Sequence, residues 1–264
     1  MHDGSTLSPE GTSSIEAVRG YWNAHVHDWK IAREEPGTLA FFEETEAYRY
    51  EKLHYLPRVV DFTAQNGKRV LDVGCGLGND LSRFARGGAE VTGVDIAPTA
   101  IDLSRRNFES RGLSGAFHVM NGEAMDLPDA SFDYVFCHTV LHFTPDPAAM
   151  VREVHRVLRP GGSAVLMTIN RKSWLFAMHR LLKVEIDYLD APVFNPFERP
   201  SFEKLMAPFD TVDLVMERFP VRTKVHKGLK AALYNMAFVD VFNALPRRIT
   251  RRYGYHMLAF VQKR

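Results

Sequence analysis

The sequence predicts an α/β protein built on a doubly wound, seven-stranded, mostly parallel sheet with a helical cap. Three observations point there. Short β-branched runs alternate with helical stretches between residues 68 and 169, glycine at every second position links the first run to the first helix, and Pro or Gly separates the later runs. Alternation of this kind builds βαβ units, whose strands lie parallel.

In chain order, residues 68–73 (KRVLDV) read as a buried strand and residues 80–86 as a helix closed by Gly87 and Gly88, where glycine can take the left-handed cap conformation. Residues 90–94 form the second strand, and 98–110 a helix with apolar Ala100, Ile101, Leu103 and Phe108. The third and fourth strands fall at 116–120 and 132–137. A helix at 146–158 stops at Pro160, Gly161 and Gly162, after which 164–169 is the fifth strand. Beyond Asn170 the pattern loosens to a short helix at 201–209, a strand at 212–219 and a final strand at 254–262. Residues 63–264 therefore form one domain with cap insertions at 171–200 and 220–253, the second holding an apolar helical segment at 231–245. Residues 1–62 form an N-terminal helical cap segment. Its first 14 residues, rich in Ser, Thr and Gly, read as a frayed tail, and the remainder carries Tyr21, Trp22, Trp29, Phe41, Phe42, Tyr48 and Tyr50.

Composition removes several function classes. The 264 residues hold 33 Lys+Arg against 32 Asp+Glu, a net charge of +1 that gives no electrostatic handle for nucleic acid or a membrane surface. With 45% hydrophobic residues the chain can bury a core, which excludes disorder. Cys75 and Cys137 are too few for a disulfide scaffold, and no CxxC or HExxH pair offers a metal site, so a reducing cytoplasm and no metal are expected. No leader-like order opens the chain and no apolar run approaches the ~20 residues of a spanning helix, so no integral membrane segment is expected.

The chemistry concentrates at residues 72–78, Asp72-Val73-Gly74-Cys75-Gly76-Leu77-Gly78. Glycine there lets the backbone turn sharply and come close to a ligand. Asp95, at the end of the second strand, stands where a carboxylate accepts both hydroxyls of a ribose. Together these call for an adenosine-type ligand. A dinucleotide loop would need glycine at Asn79, and Asp72 would repel a diphosphate but attract an ammonium group. A ligand with an amine, a carboxylate and an adenosine fits better.

These residues resemble the class I S-adenosylmethionine-dependent methyltransferases, within them the small-molecule, type 11 or UbiE-like group. Five motifs in order carry the likeness: LDVGCGLG at 71–78, VTGVDIAP at 91–98, NGEAMDLP at 121–128, SFDYVFCHTVLHF at 131–143 and LRPGG at 158–162. The resemblance implies a Rossmann-like methyltransferase fold with an antiparallel last strand, and S-adenosyl-L-methionine as cofactor. It implies cofactor contacts from Asp72, Gly74, Cys75, Gly76, Asp95, Ile96, Glu123, Ala124 and the backbone of Cys137. Two departures stand out, Glu123 where an aspartate usually caps the adenine amine, and Phe143 where many relatives carry a second histidine after His142.

In an open parallel sheet ligands bind outside the carboxyl ends of the strands, the edge from which all three additions rise. They are expected to converge as a cap over the cofactor. His138 and His142 are the candidate catalytic bases for an acceptor that must lose a proton, with His256 behind them and plain packing histidines as the alternative. Tyr21 and Trp22 either close over the methionine end of the cofactor or pack on the core. Arg247, Arg248, Arg251 and Arg252 offer an anion site or a solvated basic face, and 231–245 a buried lid, a homodimer contact or an interfacial anchor.

The expected function is in-line methyl transfer to a small organic acceptor, in the biosynthesis of a specialised metabolite or on a quinone or lipid precursor. Nucleic acid is not an expected partner, and no integral membrane association is expected. Two other classes compete. A nicotinamide-dependent oxidoreductase is favoured by the glycine loop and opposed by Asn79 and Asp72, and a non-catalytic cofactor-binding protein would share the same loop.

Overall fold

The computed structural model describes residues 11–220 and 234–264. Most of the tail expected at residues 1–14, and residues 221–233 of the second insertion, lie outside the described residues. Residues 11–14 are helical, because α1 (Gly11–Ala24) already begins there.

Seven strands form one sheet in the order β3-β2-β1-β4-β5-β7-β6. They are β1 (Arg69–Val73), β2 (Glu90–Asp95), β3 (Ala116–Val119), β4 (Phe132–Cys137), β5 (Leu158–Ile169), β6 (Thr211–Glu217) and β7 (His256–Gln262). All pairings among β1 to β5 are parallel, and β7 runs antiparallel between β5 and β6. Helices α4 (Asn79–Arg86), α5 (Pro98–Ser110) and α6 (Pro147–Val157) connect the first strands as expected. The break expected at Pro160 to Gly162 is absent. Instead, β5 runs straight on from α6, with Gly161 at φ 78 in a register shift opposite Phe132 and Tyr134, while Lys263 pairs with Gly161 and Gly162. At the other end β6 stops two residues early, since Arg218 takes a left-handed φ of 56 and turns the chain away.

Side chains alternate along each strand, and that alternation divides the core into two layers. Leu71, Val135, Cys137 and Leu166 face α6 and the short helix α8 (Arg199–Leu205), whereas Val70, Phe136 and Val165 face α4, α5 and the N-terminal segment. Within the second layer Phe84 lies 4.7 Å from Phe62 and 5.6 Å from both Tyr134 and Phe136, ring centre to ring centre.

The N-terminal segment also holds α2 (Leu39–Lys52) and the single turn α3 (Leu56–Val59). Phe41 and Phe42 of α2 are fully buried against Leu77, Ala97 and Leu103. Glu46, one turn along, gathers Arg83, Arg86 and Arg111 at 2.9, 2.6 and 3.1 Å. The segment is thus fastened to the helices that follow the glycine loop. The first insertion carries α7 (Trp174–Leu182) and meets α1, where Tyr188 lies 5.2 Å from Trp22. The described part of the second insertion begins with a π-helical stretch, Tyr234–Asp240, and packs on α7 through Phe238 and Trp174. Among the described residues no helix is long and apolar enough to cross a membrane.

Phe84 gives a direct test of this packing. Phe84→Ala should lower the unfolding free energy by about 3–5 kcal/mol, read as a shift of the urea midpoint.

Candidate active site

The glycine loop leaves β1 at the carboxyl edge of the sheet. Gly74, Gly76 and Gly78 all have positive φ (76, 55 and 72), and a Cβ on Gly74 would fall 2.3 Å from Val140 Cγ2. Only glycine fits there. The loop is fixed by neighbours, with the Ser104 hydroxyl donating to the Gly76 carbonyl at 2.7 Å and Asn107 to that of Leu77 at 2.7 Å. Asn79, at the place of a third dinucleotide glycine, is a buried amide bonded to Thr45 and Asn107.

Three chambers open around this loop. The first is lined by Gly74, Gly76, Asp95, Ile96, Asn121, Gly122 and Phe143, and is closed by Ile15, Val18, Trp22 and Val26. Asp95 accepts the Gly76 and Ala97 N–H groups at 3.0 and 2.9 Å, yet burial still raises its pKa. A second chamber holds Asp28, Arg49, Lys52, His142, Tyr188, Arg218, Tyr255 and His256. A third space touches Asp72, Gly74, Cys75, Gly76, Arg49, Asp80 and His138. His27 and Thr139 border all three, and Phe143 stands between the first two. Thr139 has φ 65 and donates its hydroxyl to its neighbour's carbonyl, that of His138, at 2.5 Å. A left-handed β-branched residue is rare, and such positions cluster at functional sites.

The structure gathers Asp72, Gly74, Cys75, Gly76, Asp95, Ile96, His138 and His142 around the chambers. It moves four other expected contacts away. Tyr21 lines none of these chambers; α1 turns Ile15, Val18 and Trp22 inward, with Val26 just beyond its end, and Tyr21 stacks on His25 and donates to Asp190 at 3.0 Å. Glu123 is taken by the Thr144 hydroxyl and, at 2.8 Å, the Asp146 N–H, because the Asn121 side chain accepts the Glu123 N–H and folds the turn. Ala124 is exposed on that turn, with its N–H given to the Asn121 carbonyl, so Asn121 and Gly122 form the wall instead. Cys137 is fully buried toward α6, and burial together with the charge of Asp72 pushes its thiol pKa up. Among the described residues, the second insertion lines none of the three chambers, and of its arginines Arg248, Arg251 and Arg252 are exposed.

Sequence reading missed the polar centre of the site. Arg49 of α2 donates to both oxygens of Asp80, at 2.9 and 2.5 Å, and lies 3.8 Å from Asp28. Burial opposes ionisation of Asp80, but the Arg49 charge and these hydrogen bonds hold its pKa below the ordinary range. Burial likewise works against Asp28, and His27, Lys52 and Arg49 outweigh it. Asp72 is buried without a hydrogen bond among the described residues, and burial, then the charges of Asp80 and Asp95, raise its pKa well above the usual value. An added ammonium group is what such a carboxylate lacks. One signal was available: Arg49 falls on the same helical face as Phe42 and Thr45, and an arginine on a buried face implies a buried acid.

The histidines differ in their partners. His138 contacts Arg49 and Tyr55, and His256 contacts Tyr55 and Arg218. Burial, followed by the neighbouring guanidinium, keeps both neutral. His142 is fully buried, and neither ring nitrogen has a partner among the described residues. Burial, then the nearby His27, lowers its pKa to about 3.

A sheet of this order with a glycine loop and a ribose-type acid at its carboxyl edge defines a nucleoside-cofactor enzyme of the methyltransferase kind. Comparisons agree. The methyltransferase domain family matches residues 71–166. A ubiquinone biosynthesis O-methyltransferase of Methylocella silvestris is 33% identical over 182 residues, 66% of this chain and 69% of that protein. Its namesake from Alkalilimnicola ehrlichii is 34% identical over 163 residues, 58% of this chain and 65% of its own. The chain spans between half and about two thirds of the first curated relatives it matches. The solved structure of a SAM-dependent methyltransferase from Archaeoglobus fulgidus superposes with a TM-score of 0.57 at 17% identity, covering 84% of this chain and 94% of that one, which supports the fold. This chain belongs to the class I S-adenosylmethionine-dependent methyltransferases.

The buried neutral histidines give the site a pH signature. Their folded pKa values lie below the unfolded value near 6.5, so between those limits the unfolded chain binds more protons and stability falls as pH drops. Asp72 and Asp95, with raised pKa values, act in the opposite sense, two groups against these three and His155, which burial and Lys263 also lower. Unfolding free energy should therefore rise from pH 4.5 to 6.5. His142→Phe should flatten that slope by about 1.4 kcal/mol per pH unit, one proton's worth, measured by urea titration across the range.

Proposed function

We propose that this protein transfers a methyl group from S-adenosylmethionine to a hydroxyl oxygen of a small organic acceptor. One observation carries the reading: the chamber holding Asp95 and the glycine loop meets, across Phe143 and Thr139, a second chamber containing a buried histidine with two unpartnered nitrogens. The names of the relatives, O-methyltransferases of ubiquinone biosynthesis, favour oxygen as the acceptor atom.

The residues present fit the cofactor. Asp95 and apolar Ile96 line the first chamber where they would meet a ribose and an adenine, and a Cβ on Gly76 would meet open space. Asp72, raised in pKa by burial and like charge, would hold the ammonium group, which would relieve the repulsion among Asp72, Asp80 and Asp95. When bound, S-adenosylmethionine supplies an electrophilic methyl whose sulfonium charge is lost as the new bond forms. The chain's own work is alignment, which can supply ~7–11 kcal/mol of the barrier. His142, neutral and unpartnered, accepts the acceptor's hydroxyl proton, and the apolar ring of Phe143 at the junction keeps water from competing for the methyl.

Calorimetry with S-adenosylhomocysteine tests the first half. Wild type should bind, and Asp95→Ala should weaken binding by roughly 10–100-fold, the loss of charge-assisted hydrogen bonds. No binding by wild type would refute the methyltransferase reading. For the second half, methyl transfer to a panel of catechols and phenols should fall by about 10²–10⁴ in kcat for His142→Phe, with cofactor affinity unchanged. An unchanged kcat would remove the histidine from the chemistry.

A further inference from the structure

Five buried or half-buried side chains form a chain, of which Arg49, His256 and Arg218 line the second chamber and Tyr55 and His138 lie behind it. Arg49 Nη2 lies 3.2 Å from His138 Nδ1, and His138 Nε2 lies 3.1 Å from the Tyr55 hydroxyl. That hydroxyl lies 2.6 Å from His256 Nδ1, and His256 Nε2 lies 3.2 Å from Arg218 Nη1. A guanidinium donates only, so the histidine nitrogen at each end must accept. A neutral imidazole carries one N–H, which places it in both rings on the nitrogen facing Tyr55. The Tyr55 oxygen then accepts twice, and its own proton has no acceptor in the chain. Tyr55, His138 and His256 are 0%, 3% and 1% exposed, so bulk water does not make up the difference. The chain is one acceptor short, which is costly at a buried site.

The charges of the chamber locate the shortage. Arg49 is held by Asp80, and Lys52 by Asp187 at 2.9 Å. Arg218 has no carboxylate within ion-pair distance among the described residues; its guanidinium rests 4.9 Å over the Tyr255 ring, leaving its N–H edge for a planar partner.

We propose that Arg218 and His256 form a carboxylate subsite in the second chamber, so that the methyl acceptor is a small organic acid. This rests on the methyl-transfer reading of the same chambers. A carboxylate beside Arg218 takes the guanidinium hydrogen bond now given to His256 Nε2. That nitrogen then carries the ring proton and becomes a second donor to the carboxylate, while His256 Nδ1 accepts the Tyr55 hydroxyl proton. Tyr55 still accepts from His138, and His138 from Arg49. Every proton in the chain now has an acceptor, and Arg218 has its counter-charge.

Benzoate and benzamide, alike in shape and different in charge, are the probes. Each is titrated by calorimetry into full-length protein saturated with S-adenosylhomocysteine. Benzoate should bind wild type at least tenfold more tightly than benzamide. Arg218→Gln should abolish that preference, and Arg218→Lys, a point charge without the fork, should restore part of it. Affinity for S-adenosylhomocysteine should stay within twofold in both variants, which shows that they fold. Equal binding of the two probes, no binding of either, or a preference that survives Arg218→Gln would overturn the subsite. Failure of wild type to bind S-adenosylhomocysteine would instead overturn the methyl-transfer reading beneath it.

Discussion

The site is organised by the fork between Arg49 and Asp80. One partner comes from the N-terminal helix α2, the other from the first turn of the helix that follows the glycine loop, and the pair also reaches Asp28 and His138. Both charges are buried, so neither is tolerable alone; breaking such a pair costs about 3–5 kcal/mol because the survivor is left uncompensated. The cap is therefore tied to the loop by electrostatic necessity as well as by apolar packing. Tyr50, donating to the same carboxylate while Arg83 stacks on its ring, adds a second fastening from the same helix.

Around that fork the acids and cations are arranged in order. Asp95 and Asp72 carry pKa values raised by burial, whereas Asp80 and Asp28 are held ionised by neighbouring cations. This separation explains how a chain of net charge +1 can hold a strongly polar centre. Acids without an ion-pair partner gather beside the glycine loop, while Arg218, which has no carboxylate within ion-pair distance among the described residues, shares the second chamber with Asp187.

Local signals made the sheet and the loop legible in the sequence. Period-two apolar runs and glycine spacing are properties of neighbouring residues, and β1, β2 and β4 fall within a residue or two of their expected places. Asp95 and the glycines were readable for the same reason. Tyr21 was misplaced because only the helical phase of α1, which turns Trp22 inward, separates the two aromatics. Glu123 was misread because a short turn bonded through Asn121 decides where its carboxylate points. Arg49, Asp80, Tyr55 and Arg218 went unread because their roles exist only in combination. Tyr55 and His256 are 201 positions apart, and nothing local to either announces the other.

Strand β7 has a consequence for how the molecule is made. It follows every other strand in chain order and yet inserts between β5 and β6, pairing with both along seven residues. During synthesis from the amino end, β5 therefore waits with one apolar edge uncovered, including Leu166 and Met167, until β7 emerges. An open strand edge is a template for another chain. Premature termination or slow translation before residue 256 should consequently yield self-association of nascent chains rather than a merely inactive monomer, which places a late, non-local step under the care of whatever shields emerging polypeptides.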